Sequence, residues 1–238
     1  MYDQHGQWSR RYDKIHLVPF GEIVPFRNAR FLGMSLHWLY RTLNRLSPFS
    51  DRGQVEYSLW PGEEFTVFEL PMPDGSKARF GVPICYEDTV PEIPRRFVWE
   101  SSRRRVDFLV NISNDGWFNH SAELEQHLAI CTFRAVENRV GIARAVNTGV
   151  SGFIDPAGRL YSLVQVDGRL TGPGVVGYRV DHVKLDSRAS LYGRWGDWFA
   201  VLCTLLTAAL WLGGIMTRWV FAVHHWLVSR RARGVQSS

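Results

Sequence analysis

Phe80-Gly81-Val82-Pro83-Ile84-Cys85-Tyr86-Glu87-Asp88 is a short apolar run that stops at a cysteine and gives way to acidic and polar residues. The run reads as a buried strand. A thiol at the tip of a central strand is held rigidly and pointed into a cleft, which suits a nucleophile. Upstream, Tyr12-Asp13-Lys14-Ile15-His16-Leu17-Val18-Pro19-Phe20-Gly21-Glu22 sets one ammonium and one carboxylate eight residues apart, either side of an apolar core. Lys14, Glu22 and Cys85 together make an acyl-transfer centre.

Around these two stretches the pattern alternates between strands and helices. Ile15–Val18 reads as a strand. Residues 26–52 mix Phe31, Leu32, Met34, Leu36, Trp38, Leu39, Leu43 and Leu46 with Arg27, Arg30, Arg41 and Arg45, as either an amphipathic segment on lipid headgroups or a helix packed on the domain. Glu64–Leu70 and Ala78–Ile84 read as strands joined by the turn at Met72–Lys77. Pro91–Arg105 reads as one helix, its end crowded with Arg103, Arg104 and Arg105. Asp107–Ser113 is a continuous apolar strand emerging into Asn114-Asp115-Gly116-Trp117-Phe118, and Ser121 caps a helix through Arg139. Gly141–Val146, Ser151–Ile154 and Val175–Val180 are further strands, with Asp155-Pro156-Ala157-Gly158 a turn. The alternation predicts α/β layers.

Composition narrows the function. The formal charge is +5 and the pI about 9.3, but the basic residues are scattered. No zinc-ligand spacing, phosphate-cradling glycine loop or nucleic-acid motif accompanies them, so the charge reads as membrane-facing and no nucleic acid is expected. Lysine is scarce, at positions 14, 77 and 184 only, so a lysine inside a dense motif points to a need for a compact ammonium there. Cys85, Cys131 and Cys203 form no CxxC pair, which argues against a disulfide framework, and no metal or cofactor site is expected.

Trp198 to Met216 carries no charge over nineteen residues, enough at about 1.5 Å per residue nearly to cross a bilayer core. Trp195 and Trp198 at one end and Trp219 and Trp226 at the other suit the two interfacial belts. Arg230, Arg231 and Arg233 then predict a cytoplasmic C-terminus, with the preceding domain on the outer face. The first residues, Met1-Tyr2-Asp3-Gln4-His5-Gly6, are too polar for an export signal, so upstream sequence is expected to be missing. The reading divides the chain into a partial catalytic domain at 1–193, a transmembrane helix with flanks at 194–228 and a basic cytoplasmic tail at 229–238.

Several motifs in order resemble one family. The Lys14 and Cys85 stretches and Asn111-Ile112-Ser113-Asn114-Asp115-Gly116-Trp117-Phe118 are similar to the nitrilase, or carbon–nitrogen hydrolase, superfamily. More narrowly they resemble its membrane-bound branch, the apolipoprotein N-acyltransferase family. Gln126-His127-Leu128, Arg134–Arg139, Asn147–Gly152 and Tyr192–Asp197 extend the likeness over nearly the whole chain. The resemblance implies an αββα sandwich, incomplete here at its N-terminus, facing the periplasm from the bacterial inner membrane and followed by one transmembrane helix. It implies transfer of a phospholipid acyl chain to the α-amine of a diacylglyceryl-modified lipoprotein cysteine through a thioester on Cys85. Lys14 would stabilise the thiolate and the oxyanion. Glu22 and Glu87 would orient Lys14 and hold the pocket, and Tyr86 would border the acyl site. The bland reading of Glu22 is a capping or salt-bridge residue.

The departure from the pattern is a general-base glutamate, which in the superfamily precedes the lysine motif; no Glu precedes Glu22 in this chain. Loss of a general base costs about 10²–10⁴ in rate, so the chain alone is expected to be inactive, with a separately encoded N-terminal half as a possible partner. Two other readings stand beside this one. One is a membrane-tethered amidase or nitrilase hydrolysing small amides; the other is a non-catalytic remnant that keeps the sandwich as an interaction module.

Overall fold

The strand that organises the molecule is the Phe-Leu-Val-Asn-Ile run, whose β-branched and aromatic side chains fit a pleated surface. In the computed structural model, residue 6 and residues 10–46, 58–118, 121–170 and 175–235 are described, with side chains as far as Phe221. In chain order come β1 (Arg30–Phe31), β2 (Met34–Ser35), α1 (His37–Leu46), β3 (Phe68–Pro71) and β4 (Lys77–Gly81). Then follow α2 (Glu92–Val98), β5 (Trp99–Glu100), β6 (Arg103–Arg104), β7 (Phe108–Asn114) and α3 (Glu123–Asn138). β8 (Gly141–Asn147), β9 (Gly152–Ile154), β10 (Leu160–Tyr161), α4 (Leu191–Trp195) and α5 (Trp198–Val235) complete the chain.

One six-stranded sheet has the order β10-β9-β8-β7-β4-β3. Its centre, β4-β7-β8, is parallel, and antiparallel strands close both edges. Period-two alternation sorts β7 cleanly: Leu109 and Asn111 are fully buried on one face, while Ile112, on the other, is 42% exposed. Leu109 joins Ile142 and Ile154 of the sheet with Phe97 and Val98 of α2 and Cys131 and Ala135 of α3 in one core cluster. Burying each large apolar side chain there contributes about 1.5–3 kcal/mol. Gly81 is part of that fit: a Cβ at this position would lie 2.4 Å from Phe97 Cδ1, so only glycine lets α2 approach β4. On the opposite face Phe68, Phe80 and Phe108 stack across three strands with ring centroids 5.3 Å apart. Of the expected αββα sandwich, the described residues therefore supply one β layer with the α layer on one of its faces.

Several expected elements differ. Residues 15–18 are a loop, because their backbone donors serve side-chain carboxylates instead of a ladder. The segment 26–46 folds as the β1–β2 hairpin and α1, and residues 47–52 lie outside the described residues. The helix expected over Pro91–Arg105 ends at Val98, where Trp99 turns extended, and Ser101, with a left-handed φ of 55°, turns the chain into the β5–β6 hairpin. Its arginines are held by tertiary contacts: Arg104 stacks 4.8 Å from the Trp99 ring, and Arg105 donates to the Arg96 and Phe65 carbonyls. Val175–Val180 is irregular rather than a strand, and its apolar side chains are exposed, Val176 by 86%.

Residues 1–194 and 195–238 form two units. In the second, residues 198–221 of α5 are long and apolar enough to cross a membrane. Its helical backbone continues through residues expected to be tail, as far as Val235.

Candidate active site

The parallel strands β4, β7 and β8 all end on the same side of the sheet, where open α/β sheets gather their ligand-binding loops. Cys85 opens a 3-10 turn, Cys85–Thr89, just beyond β4, and the chain reaches it through a bridge between Ile84 and Ile112. Its backbone is left-handed, with φ 51°. A non-glycine residue there is strained, and such strain persists only where surrounding contacts over-determine it.

Glu87 supplies those contacts. It is completely buried. One carboxylate oxygen accepts the Tyr12 hydroxyl at 2.7 Å and the backbone N–H groups of Ile15 and His16 at 2.7 and 3.0 Å. The other accepts the N–H of Ile84 at 2.7 Å. The residues just after Lys14 and the residue just before Cys85 are thus tied to one side chain. Burial, together with the Glu87 charge, drives the Tyr12 phenol far above its ordinary range, so Tyr12 stays a donor. The rings of His16 and Tyr86 stack with centroids 5.8 Å apart, a second tie between the two motifs.

Lys14 Nζ donates to both oxygens of Glu22, at 2.9 and 2.7 Å, and Glu22 also accepts the Val18 N–H at 2.8 Å. Glu22 therefore holds the Lys14 side chain directly, whereas Glu87 acts on the backbone beside it. The side chains of this pair are 10% and 18% exposed, low enough to be protected from solvent screening. The third motif joins through Asn111, whose Nδ2 donates to the Pro83 carbonyl at 3.3 Å, and through Trp117, whose ring packs against Gly21. A cleft of about 480 Å³ adjoins Lys14 and is walled by Leu17, Leu59, Trp60 and Pro61. An apolar cleft lined by Val24 and Phe26 continues past the same Leu59 and Trp60.

The sequence reading singled out no role for a buried charged ring behind the cysteine turn. Arg144 Nη1 donates to Asp88 at 3.1 Å and Nη2 to Asp115 at 3.2 Å. The other oxygens of the same two aspartates meet the two ring nitrogens of His127, at 2.7 and 2.9 Å. Burial alone would lower the His127 pKa, but hydrogen bonds to Asp115 and Asp88, with the Asp88 charge, outweigh it and raise it to about 10. In the sequence, Asp88 closes the cysteine stretch, Asp115 lies in the Asn111–Phe118 motif and His127 in Gln126-His127-Leu128, but nothing there links them to one another or to Arg144. Asp115, Glu123 and His127 bring one possible ligand atom each within 4.8 Å of one another. Arg144 and cationic His127 already balance the two aspartates, so the arrangement does not favour an added cation.

A family model described as carbon-nitrogen hydrolase matches residues 1–169. Apolipoprotein N-acyltransferase of Geobacter metallireducens is 36% identical over 83% of this chain and 32% of its own length. That of Thermotoga maritima is 32% identical over 84% of this chain and 34% of its own. That of Chlorobaculum tepidum is 40% identical over 63% of this chain and 25% of its own. The chain spans about a third or less of the length of these relatives. The match over most of its length, with the lysine and cysteine motifs bound to one buried glutamate, makes the chain a member of the carbon-nitrogen hydrolase family.

Proposed function

We propose that the chain carries the nucleophile and lysine of an apolipoprotein N-acyltransferase and uses them to move a fatty acyl group from a phospholipid to an amine. The observation that carries this reading is Glu87, which binds the Lys14 and Cys85 backbones to a single carboxylate. In the first step Cys85 Sγ bonds to the ester carbonyl carbon. The ester C–O bond breaks, and the lysolipid oxygen leaves with the proton given up by the thiol. In the second step the α-amine of a diacylglyceryl-cysteine attacks the thioester. The C–N bond forms, the C–S bond breaks and the amine's proton returns to sulfur. Lys14 stabilises the oxyanion in both steps, and Tyr86 borders the acyl site.

Two further features support a lipid donor. Exposed apolar residues line the hairpin and helix after the lysine motif: Phe31, Leu32, Met34 and Trp38 are 61%, 83%, 64% and 64% exposed. Arg27, Arg30, Arg41 and Arg45 flank them, a pattern suited to anionic headgroups. The apolar cleft past Leu59 and Trp60 suits an acyl chain. Both glutamates near Lys14 are occupied as acceptors, so we infer that the general base comes from outside the described residues, for example from a separately encoded polypeptide.

Intact-mass measurement of the chain in phospholipid nanodiscs tests the reading. A fatty-acyl adduct on Cys85, lost in C85A, is expected. A chain that never acylates, even with an upstream glutamate-bearing polypeptide added, overturns it; hydrolysis of small amides without acylation would mark a tethered amidase instead.

A further inference from the structure

Four elements each contribute one charge to the ring behind the nucleophile. Asp88 comes from the cysteine turn, Asp115 from the turn after β7, His127 from α3 and Arg144 from β8. The ring closes on itself, because each aspartate uses one oxygen for His127 and the other for Arg144. The His127, Asp88, Asp115 and Arg144 side chains are at most 3% exposed. Around it, Ser113 Oγ donates to Asp115 at 2.6 Å, and Arg144 donates to Asn111 Oδ1 at 2.5 Å and to the Val150 carbonyl at 3.3 Å. Glu123 stands 3.7 Å from His127 on the same helix, and the Cys131 thiol is buried beside Asp88 and Arg144. A Cβ at Gly149 would come within 2.4 Å of Asp115 Oδ2, so the backbone there is closed down onto the ring.

Buried ion networks add little net stability compared with an apolar core of the same volume, since desolvation offsets the attraction. Stability alone therefore leaves this one unexplained. Its place is informative: Asp88 lies three residues from the left-handed Cys85, next to Glu87 in the same turn, and bonds to His127 and Arg144 rather than to the Lys14 loop. Glu87 fixes the start of the turn to the Lys14 loop, and Asp88 fixes its end to α3 and β8.

Resting on the reading of Cys85 as the nucleophile, we propose that His127, within its ring with Asp88, Asp115 and Arg144, is a positioning residue. It holds the Cys85–Thr89 turn so that the thiol faces Lys14. It touches no reacting atom, and its action passes through Asp88.

The test is the second-order rate of Cys85 alkylation by iodoacetamide. It uses the full chain in lipid nanodiscs with Cys203→Ser, and it needs neither an acyl acceptor nor a general base. His127→Gln opens the ring, and Arg144→Lys opens it while keeping its charge. In each, the folded protein is expected to alkylate about tenfold more slowly, the scale on which sub-ångström misplacement of a reacting group is felt. His127→Gln combined with Asp115→Asn, which lets amides re-close the ring with charges still balanced, is expected to recover most of that rate. Folded single variants that react at the parent rate overturn the proposal. So does failure of both to fold, which would make the ring a folding device. A parent Cys85 no faster than a small free thiol sinks the nucleophile reading itself, and the positioning role with it.

Discussion

At Cys85 the backbone and the side chain make opposite demands. A φ of 51° favours glycine, yet the position holds a thiol. C85G should therefore unfold at higher urea, with stability raised by about 0.5–1 kcal/mol, because relief of left-handed strain exceeds the entropy glycine adds to the unfolded chain. C85A keeps the strain and should match the parent. A glycine variant less stable than the alanine one would show that the turn is unstrained. Glu87 is the counterpart that maintains the strain. In E87Q an amide must replace one carboxylate oxygen, yet both oxygens face donors only. At least one buried N–H then opposes another, costing about 2–3 kcal/mol. Equilibrium unfolding measures this, and a loss below ~0.5 kcal/mol would mean that the clamp is not formed in solution. The Lys14–Glu22 pair was legible in the sequence because both residues sit in one dense local motif. The role of Glu87 was only half legible: besides the Tyr12 hydroxyl its partners are backbone groups of Ile15, His16 and Ile84, and backbone donors leave no mark on residue identity.

Between elements, readability followed how local the deciding forces are. β7 was readable because a short, nearly continuous apolar run bounded by polar residues fits a central strand, and β8 because it has the same length between a helix and a turn. α3 was readable from its period to within one residue of its end; its N-cap is Ala122, with no side-chain cap bond, rather than the expected Ser121. α2 was over-extended because Trp99 and Arg104 leave the helical path for each other, a tertiary contact that arginine's high helix propensity conceals. The charged ring escaped notice for the same reason, since its members stand at 88, 115, 127 and 144 and only folding brings them together. Its pH dependence follows from His127, raised from 6.5 to about 10 in the folded chain. The group binds its proton more tightly when folded. Its contribution to stability is then whole below pH 6.5, declines above that value and is gone once pH has risen through about 10. Across that window the slope attributable to one proton reaches at most about 1.4 kcal/mol per pH unit. Urea unfolding at pH 7 and pH 9.5 should show this loss in the parent and its absence in H127Q. Equal slopes in the two proteins would mean that His127 is neutral when folded.

Over the whole molecule, the two units pose the problem of a polar active site and a greasy donor in one chain. The first unit exposes Leu32 and Trp60 by 83% and 82%, more than an ordinary soluble surface explains when both flank the lysine loop. The second is a helix whose residues 198–221 carry Arg218 as their one charge, with Trp211 and Leu210 68% and 79% exposed. Lipid is the solvent that suits both. If α5 spans, the arginines near its end stay on the cytoplasmic side, because cationic segments close to a span resist translocation. The first unit is then expected on the opposite face, the one the proposed donor and acceptor require. Single cysteines in a background carrying Cys85→Ala, Cys131→Ala and Cys203→Ser test this in intact cells with an outer membrane made permeable. Lys184→Cys, on an exposed stretch of the first unit, should react with a membrane-impermeant maleimide at once. Ser237→Cys should react only after the inner membrane is broken. The reverse order would put Cys85 in the cytoplasm and exclude a donor from the outer leaflet. Reaction of both cysteines before lysis would show that α5 lies along the membrane surface, leaving the hairpin and helix at 30–46 to hold the chain against its donor.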